Sequence, residues 1–403
     1  MSGGPSSIVV VGAGIAGLRT ATALRDRGFA GRLVLIGNEP HAPYDRPPLS
    51  KEVLTGRLAP EAAALPVPAD VEVRSGRAAV RLDRAARRVL LDDGSAQSYE
   101  GLVIATGATA VPWPGPTPAQ GVLTLRGLDD AARLRAALAE GDPLLVVGGG
   151  FLGCEIASAA REAGAPVALV CRDRLPMRRT VGAEVGALVA RLQTEAGVSL
   201  RTGVTVTGFS GSRRVTGVEL SDGTRIRART VVTALGARPA TDWTRGSGLG
   251  THSGGLRCDH RRRALDEEGR PVEGIVVVGD AAAAPHPLPY PGAPSHLVIG
   301  HWSGAVDHAD TAAATLVGGP PPGPVPPPSF WSDQYGVRVR AVGLPGAADR
   351  VEVHEYDPER RRVEISQHRD GRTVGAVTVN RTSRLAAHRA RIVAEHGEGV
   401  VVG

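Results

Sequence analysis

Short apolar runs, each stopped by glycine, set out the plan of this chain. Ile8-Val-Val-Val11 reads as a buried strand and Gly12-Ala-Gly14-Ile-Ala-Gly17 follows it. A helical segment then runs from Ile15 to about Arg27, before a second strand from Arg32 to Ile36. Leu144-Leu-Val-Val147 starts the same pattern again, with Gly148-Gly-Gly150-Phe-Leu-Gly153, a helix to about Ala163 and a strand from Val167 to Val170. The likeness continues downstream. Val89-Leu-Leu-Asp-Asp93-Gly94 precedes Leu102-Val-Ile-Ala-Thr-Gly107, and Val218-Glu-Leu-Ser-Asp222-Gly223 precedes Val231-Val-Thr-Ala-Leu-Gly236, both at an offset of 129 residues. Each G-x-G-x-x-G turn lies inside a βαβ unit, where the first glycine permits the tight turn and the second lets backbone approach a pyrophosphate. The third lets helix pack on strand, and the helix N-terminus offers N–H groups to phosphate. The pattern predicts two copies of one dinucleotide-binding fold.

The alternating stretches Val71 to Leu91 and Val198 to Ile226 predict small antiparallel strands inserted before each closing strand. A later strand, Ile275 to Val278, ends in Gly279-Asp280, and the proline-rich segment Gly318 to Pro328 reads as a linker. Beyond it, Val337 to Val342, Val351 to Tyr356, Arg362 to Gln367 and Val374 to Thr378 predict a strand-rich end with a helix from about Arg381 to Glu395. The fold class is α/β: two Rossmann-like domains and a C-terminal α+β domain.

Composition narrows the chemistry. With 42 % hydrophobic and 22 % charged residues, the 403-residue chain is neither disordered nor fibrous. No apolar run reaches the ~18 residues of a membrane span. The first one leads straight into a glycine loop, leaving no room for a secretory leader, so the expectation is a cytoplasmic protein. Cys154, Cys171 and Cys258 lie far apart, with no C-x-x-C pair and no zinc spacing, which argues against a redox disulfide and a structural metal. The histidines His41, His286, His296 and His308 receive no role, and Arg261-Arg-Arg263 reads as a solvated face. The formal charge is +6, and of the 47 basic residues Lys51 is the single lysine, so arginine serves wherever a surface cation suffices.

Several runs carry a family resemblance. The tandem loops, Thr106-Gly107 and Gly279-Asp280 look like the two-dinucleotide-binding-domain flavoproteins. Within them, Pro43-Tyr-Asp-Arg46-Pro-Pro-Leu-Ser-Lys51, Gly148-Gly-Gly-Phe-Leu-Gly-Cys-Glu155, His301-Trp302 and Phe330-Trp-Ser-Asp-Gln-Tyr335 resemble bacterial FAD-dependent NAD(P)H:ferredoxin reductases, which serve haem monooxygenases and ring-hydroxylating dioxygenases. The resemblance implies an FAD-binding domain from 1–113 and 252–320, an NAD(P)H-binding domain from 114–251 and a closing domain from 329–403. FAD would lie on Gly12, Gly14, Ala16 and Gly17, with Glu39 at the adenosine ribose and Arg46 at the pyrophosphate. Val80, Ala105, Thr106 and Gly107 would line it, Asp280 would take the ribityl chain, and Trp302 and Trp331 would bound the isoalloxazine. Lys51 would sit near flavin N5 and pair with Glu155, where a compact cation steadies reduced flavin and leaves room for nicotinamide. Gly150, Phe151, Leu152 and Gly236 would belong to the nicotinamide side.

Two departures from the family stand out. Where an acidic residue commonly binds the nicotinamide cofactor's ribose, the second strand ends in Cys171, followed by Arg172, Asp173 and Arg174. NADPH is therefore expected to be accepted and slightly favoured, with Arg172 or Arg179 as its partner; ordinary exposed arginines with NADH still used is the alternative. Gly300 replaces a glutamate before His301-Trp302. The implied activity passes electrons from NAD(P)H through FAD to a small acidic iron–sulfur ferredoxin, by a monomer or homodimer. A flavoenzyme acting directly on a quinone, oxygen, a nitro compound or a biosynthetic intermediate is the rival. Nucleic-acid binding has no motif or basic–aromatic run to support it, and no membrane partner is expected.

Overall fold

The computed structural model describes residues 4–320, 323 and 326–396. Parts of two expected segments, residues 321, 322, 324 and 325 of the linker and 397–403 of the terminal domain, lie outside the described residues.

Strands buried on both faces of a parallel sheet read as unbroken apolar runs. Ser7–Val11 is such a strand, with Ile8, Val9 and Val10 fully buried. It pairs in parallel with Arg32–Ile36 on one side and Gly101–Ile104 on the other. Pro271–Val277, Arg263–Leu265 and Glu72–Arg74 complete a six-stranded sheet. The second glycine loop follows Leu144–Val147, which lies between Val167–Cys171 and Thr230–Thr233 in a five-stranded sheet of the same plan.

The first and third loop glycines are required by backbone crowding. Gly12 has φ +114°, and a Cβ there would lie 2.1 Å from the Ala105 carbonyl oxygen. A Cβ on Gly17 would lie 1.9 Å from the Gly12 oxygen, and Gly148 and Gly153 repeat both approaches. Trp302–Val317 lays an alanine-rich face, including Ala305, Ala312 and Ala313, against the core that also holds Leu18, Ala21 and Leu24 of helix Ile15–Asp26. Five antiparallel strands, in the order Ser329–Gln334, Val337–Gly343, Arg372–Val379, Arg362–Arg369 and Arg350–Asp357, form the C-terminal sheet, packed by helix Leu385–His396.

The structure departs from the sequence reading in places. Glu72–Arg74 and Ser199–Thr202 join the large sheets as parallel edge strands, and the antiparallel meanders start only at Ala79 and Val206. Alternation has the same period in both settings, so it does not report strand direction. The Arg261-Arg-Arg263 run is not uniformly solvated. Asp259 accepts from the backbone N–H of Arg261 and Arg263 and bends the loop, leaving Arg262 at φ +66° and 3 % exposed.

Candidate functional site

A cavity of about 410 Å³ runs over the first glycine loop. Gly12, Gly14 and Ala16 form its floor, Glu39 and Arg46 line it beyond the second strand, and Ala105, Thr106 and Gly107 enter from the closing strand. Phe151, Leu152 and Glu155 come from the helix after the second glycine loop, and Asp280, Trp302 and Trp331 complete the set of expected residues gathered here. A Cβ on Gly14 would meet nothing within 4 Å, so the loop leaves room where the motif expects a phosphate. The N-cap of the helix that starts at Ile15 is Gly14, which has no side chain to cap it.

Charged residues meet in pairs along the wall. Arg46 donates to Glu39 at 2.5 Å and to the Arg126 carbonyl at 2.7 Å, while Tyr44 donates its hydroxyl hydrogen to Glu39. Burial, above all, pushes the Tyr44 hydroxyl well above its usual range, so it remains a donor. Arg126 donates to Asp280 at 2.9 Å and to the Ala108 carbonyl at 2.9 Å. Arg126 had no motif to announce it, since its partner lies 154 residues away. Tyr44 and Asp45 sit inside the run quoted above; Asp45 accepts from the Trp302 indole N–H at 2.9 Å.

At the inner end Lys51 and Glu155 form a buried ion pair at 2.6 Å, their side chains 13 % and 7 % exposed. The same Glu155 oxygen accepts from Ser50 at 2.6 Å, and its other oxygen accepts from Ser332 at 2.7 Å. A buried charge costs several kcal/mol unless paired and hydrogen-bonded, and this carboxylate has three donors. Aromatic rings close the same end. Trp302 meets Trp331 edge to face, with centroids 5.8 Å apart, and His301 stacks on Phe330 at 4.4 Å. Burial, against the opposing pull of Asp280, takes the His301 imidazole down to about 4, so it is neutral at pH 7.

The remaining expected residues lie elsewhere. Gly17 is packed under the loop against Gly12. Val80 stands outside the lining: a bulge between Ala79 and Arg81 leaves it without a strand partner and 51 % exposed. Gly150, Cys171, Arg172, Arg179 and Gly236 belong to the second glycine-loop region and do not line this cavity. Cys171 is buried, and its sulfur sits under Gly149, 2.5 Å from where a Cβ would be. Strand register sets Ile36 opposite Val11 and Val170 opposite Val147, which makes Asp173 the counterpart of Glu39. Asp173 accepts from Arg179 at 2.8 and 2.9 Å, so Arg179 is already engaged. Arg172 is exposed and has no ion-pair partner among the described residues. All three cysteines are free and buried, and none lines the cavity. Burial pushes the Cys258 thiol up to about 11 and raises Cys154 and Cys171 as well.

Two family models match, one described as pyridine nucleotide-disulphide oxidoreductase over residues 6–309 and one as reductase C-terminal over residues 329–398. The chain belongs to the pyridine nucleotide-disulphide oxidoreductase family and carries the reductase C-terminal domain. Its relatives within that family are more particular. It is 37 % identical over 344 residues to the chlorobenzene dioxygenase, ferredoxin reductase component, of Cupriavidus sp. (strain PS12), covering 83 % of this chain and 80 % of the relative. It is 38 % identical over 350 residues to the p-cumate 2,3-dioxygenase system ferredoxin–NAD(+) reductase component of Pseudomonas putida, covering 84 % and 81 %. The solved covalent complex of putidaredoxin reductase with putidaredoxin superposes with a TM-score of 0.89 at 30 % identity, covering 97 % of this chain and 93 % of that one.

Proposed function

We propose that this chain is the FAD-dependent reductase of an electron-transfer system, taking hydride from a nicotinamide cofactor and delivering single electrons to a small ferredoxin. The observation that carries the reading is one continuous cavity joining the first glycine loop, the buried Lys51–Glu155 pair and the Trp302–Trp331 contact. The residues fit FAD. Gly14 leaves the opening a pyrophosphate needs, Arg46 supplies its cation, Glu39 and Asp280 supply acceptors for hydroxyls, and the tryptophans offer flat apolar walls. Bound there, FAD supplies hydride acceptance and one-electron release, chemistry that no side chain provides.

The protein's own groups position and balance charge. Lys51 presents a compact ammonium, held by Glu155 and the Pro47 carbonyl, to stabilise negative charge at the inner end. The disulfide chemistry in the family's description has no counterpart in this reading, because each thiol is buried away from the cavity. Residues 1–113 with 252–320 would hold FAD, 114–251 the nicotinamide cofactor, and the segment from 329 would close over the flavin and shape the acceptor surface. With three free cysteines the protein suits the reducing cytoplasm, as a monomer or homodimer.

For the nicotinamide cofactor, the finer reading is that NADPH is accepted and slightly favoured. The strand ends in a buried Cys171, the Asp173 charge is countered by Arg179, and Arg172 stands free for a 2′-phosphate. A kcat/KM for NADH tenfold above that for NADPH would overturn this preference. The acceptor reading is tested by NAD(P)H-driven cytochrome c reduction. Activity that depends on added ferredoxin is expected, and equal turnover with a quinone or oxygen alone would favour direct action on a small molecule.

A further inference from the structure

Two cavities meet at one ion pair. A second cavity of about 400 Å³ shares Ser50, Lys51 and Glu155 with the first and has otherwise different walls. Those walls carry Glu52, Arg57, Glu162, Asp333 and Arg338, with Thr55 and Ser158 among them. Arg57, Glu162 and Asp333 are 56 %, 46 % and 39 % exposed, so the outer part opens to solvent. The inner end is the Glu155 carboxylate. Lys51 has three N–H donors, of which two are used, on Glu155 at 2.6 Å and on the Pro47 carbonyl at 3.1 Å. Among the described residues, one donor is uncommitted on a side chain that lines both cavities.

The activity assigned above, on which this inference rests, leaves one proton over. NAD(P)H and two oxidised one-electron acceptors give NAD(P)+, two reduced acceptors and one H+. The hydride's two electrons leave through the acceptor and its proton must reach solvent. We propose that the Lys51–Glu155 pair and the second cavity are the route that proton takes. Glu155 receives a proton at Oε2 from Lys51 Nζ, Lys51 regains one from the first cavity, and Glu155 passes its own to water in the second cavity. Each passage moves one proton, transfers no electrons, and leaves both side chains as they began. Ser50 and Ser332, donating to the two carboxylate oxygens, hold Glu155 between the cavities, and the carboxylates of Glu52, of Glu162 paired with Arg57, and of Asp333 paired with Arg340 at 2.7 Å continue the path outward. Neither Trp302 nor Trp331 lines the second cavity, so the exit from the ion pair does not pass these rings.

The test follows the proton itself. FAD-loaded protein is reduced anaerobically with NAD(P)H in weak buffer containing a pH-indicator dye, then mixed rapidly with ferricyanide, which takes electrons without protons. Flavin and dye absorbance are recorded together. In the unaltered protein, proton appearance should keep pace with the return of oxidised flavin. Thr55→Leu puts a larger, apolar side chain in the wall of the second cavity at a residue that does not line the first; it should take up hydride at the normal rate, yet its proton should lag the flavin signal by about tenfold or more. Glu155→Gln keeps the shape of the carboxylate, should show the same lag, and decides the matter if Thr55→Leu does not fold. Release in step with the flavin in either folded variant would overturn the route while leaving the reductase reading intact. Unaltered protein that takes up no flavin, or is not reduced, would overturn both.

Discussion

Lys51 is the one position where this chain, which otherwise uses arginine, keeps a lysine, and the structure places its compact ammonium against Glu155 with 13 % of the side chain exposed. Removing one partner of a buried pair strands the other charge, at a cost of about 3–5 kcal/mol. Lys51→Met is therefore expected to lower stability by that order in urea unfolding, and Lys51→Met with Glu155→Met should recover much of it. A single variant as stable as the parent would show that the pair is solvated. His301 makes a second residue-scale prediction. Its imidazole is depressed to about 4 by burial, whereas unfolded histidine titrates near ~6.5. Between those values the unfolded chain binds more protons, so this residue's contribution to stability is full above about pH 6.5 and is lost as pH falls toward 4. His301→Phe, which keeps the stack on Phe330, should flatten the loss of melting temperature over that window; an unchanged slope would assign it to other groups.

The glycine loops separate folding from binding within one element. Gly17→Ala drives a Cβ to 1.9 Å from the Gly12 oxygen, so it should destabilise the strand–helix unit itself, reading out as a lower melting temperature or loss of soluble protein. Gly14→Ala has ordinary φ and open space, so the chain should fold while flavin content of the purified protein drops severalfold. Equal stability loss in both variants would contradict the division of roles. These loops were legible in the sequence because their requirement is local: a crowded turn between a strand and a helix admits glycine at spaced positions. The same holds for Pro43 to Lys51, a contiguous run that reaches the cavity together. What could not be read is what distance brings in. Arg126 reaches Asp280 across 154 residues and Ser332 reaches Glu155 across 177. His301 and Phe330 were both in quoted runs, but nothing in their spacing foretold that they stack. The direction of the parallel edge strands Glu72–Arg74 and Ser199–Thr202 is not legible either, because a short alternating run is compatible with both directions.

Across the whole molecule the net charge of +6 is spread over arginines, many of them already matched to carboxylates, as Arg179 is to Asp173. What remains suits long-range attraction of an acidic partner more than a tight static contact. The rate of ferredoxin reduction at limiting ferredoxin should therefore fall about tenfold between low and high salt, since the Debye length shrinks from about 30 Å at 0.01 M to about 3 Å at 1 M. Reduction of a small neutral acceptor should change little. A salt-independent ferredoxin rate would remove charge from the account of partner choice.

The central claim is that the first cavity holds FAD where a nicotinamide cofactor can reduce it. Its most direct test is an absorbance spectrum of the purified protein followed by anaerobic titration with NADPH and, in parallel, NADH. The expected result is a flavin spectrum that bleaches with about one equivalent of reduced cofactor and returns on adding an oxidant. Folded protein that is colourless, takes up no offered FAD, and leaves NADPH and NADH unoxidised would contradict it.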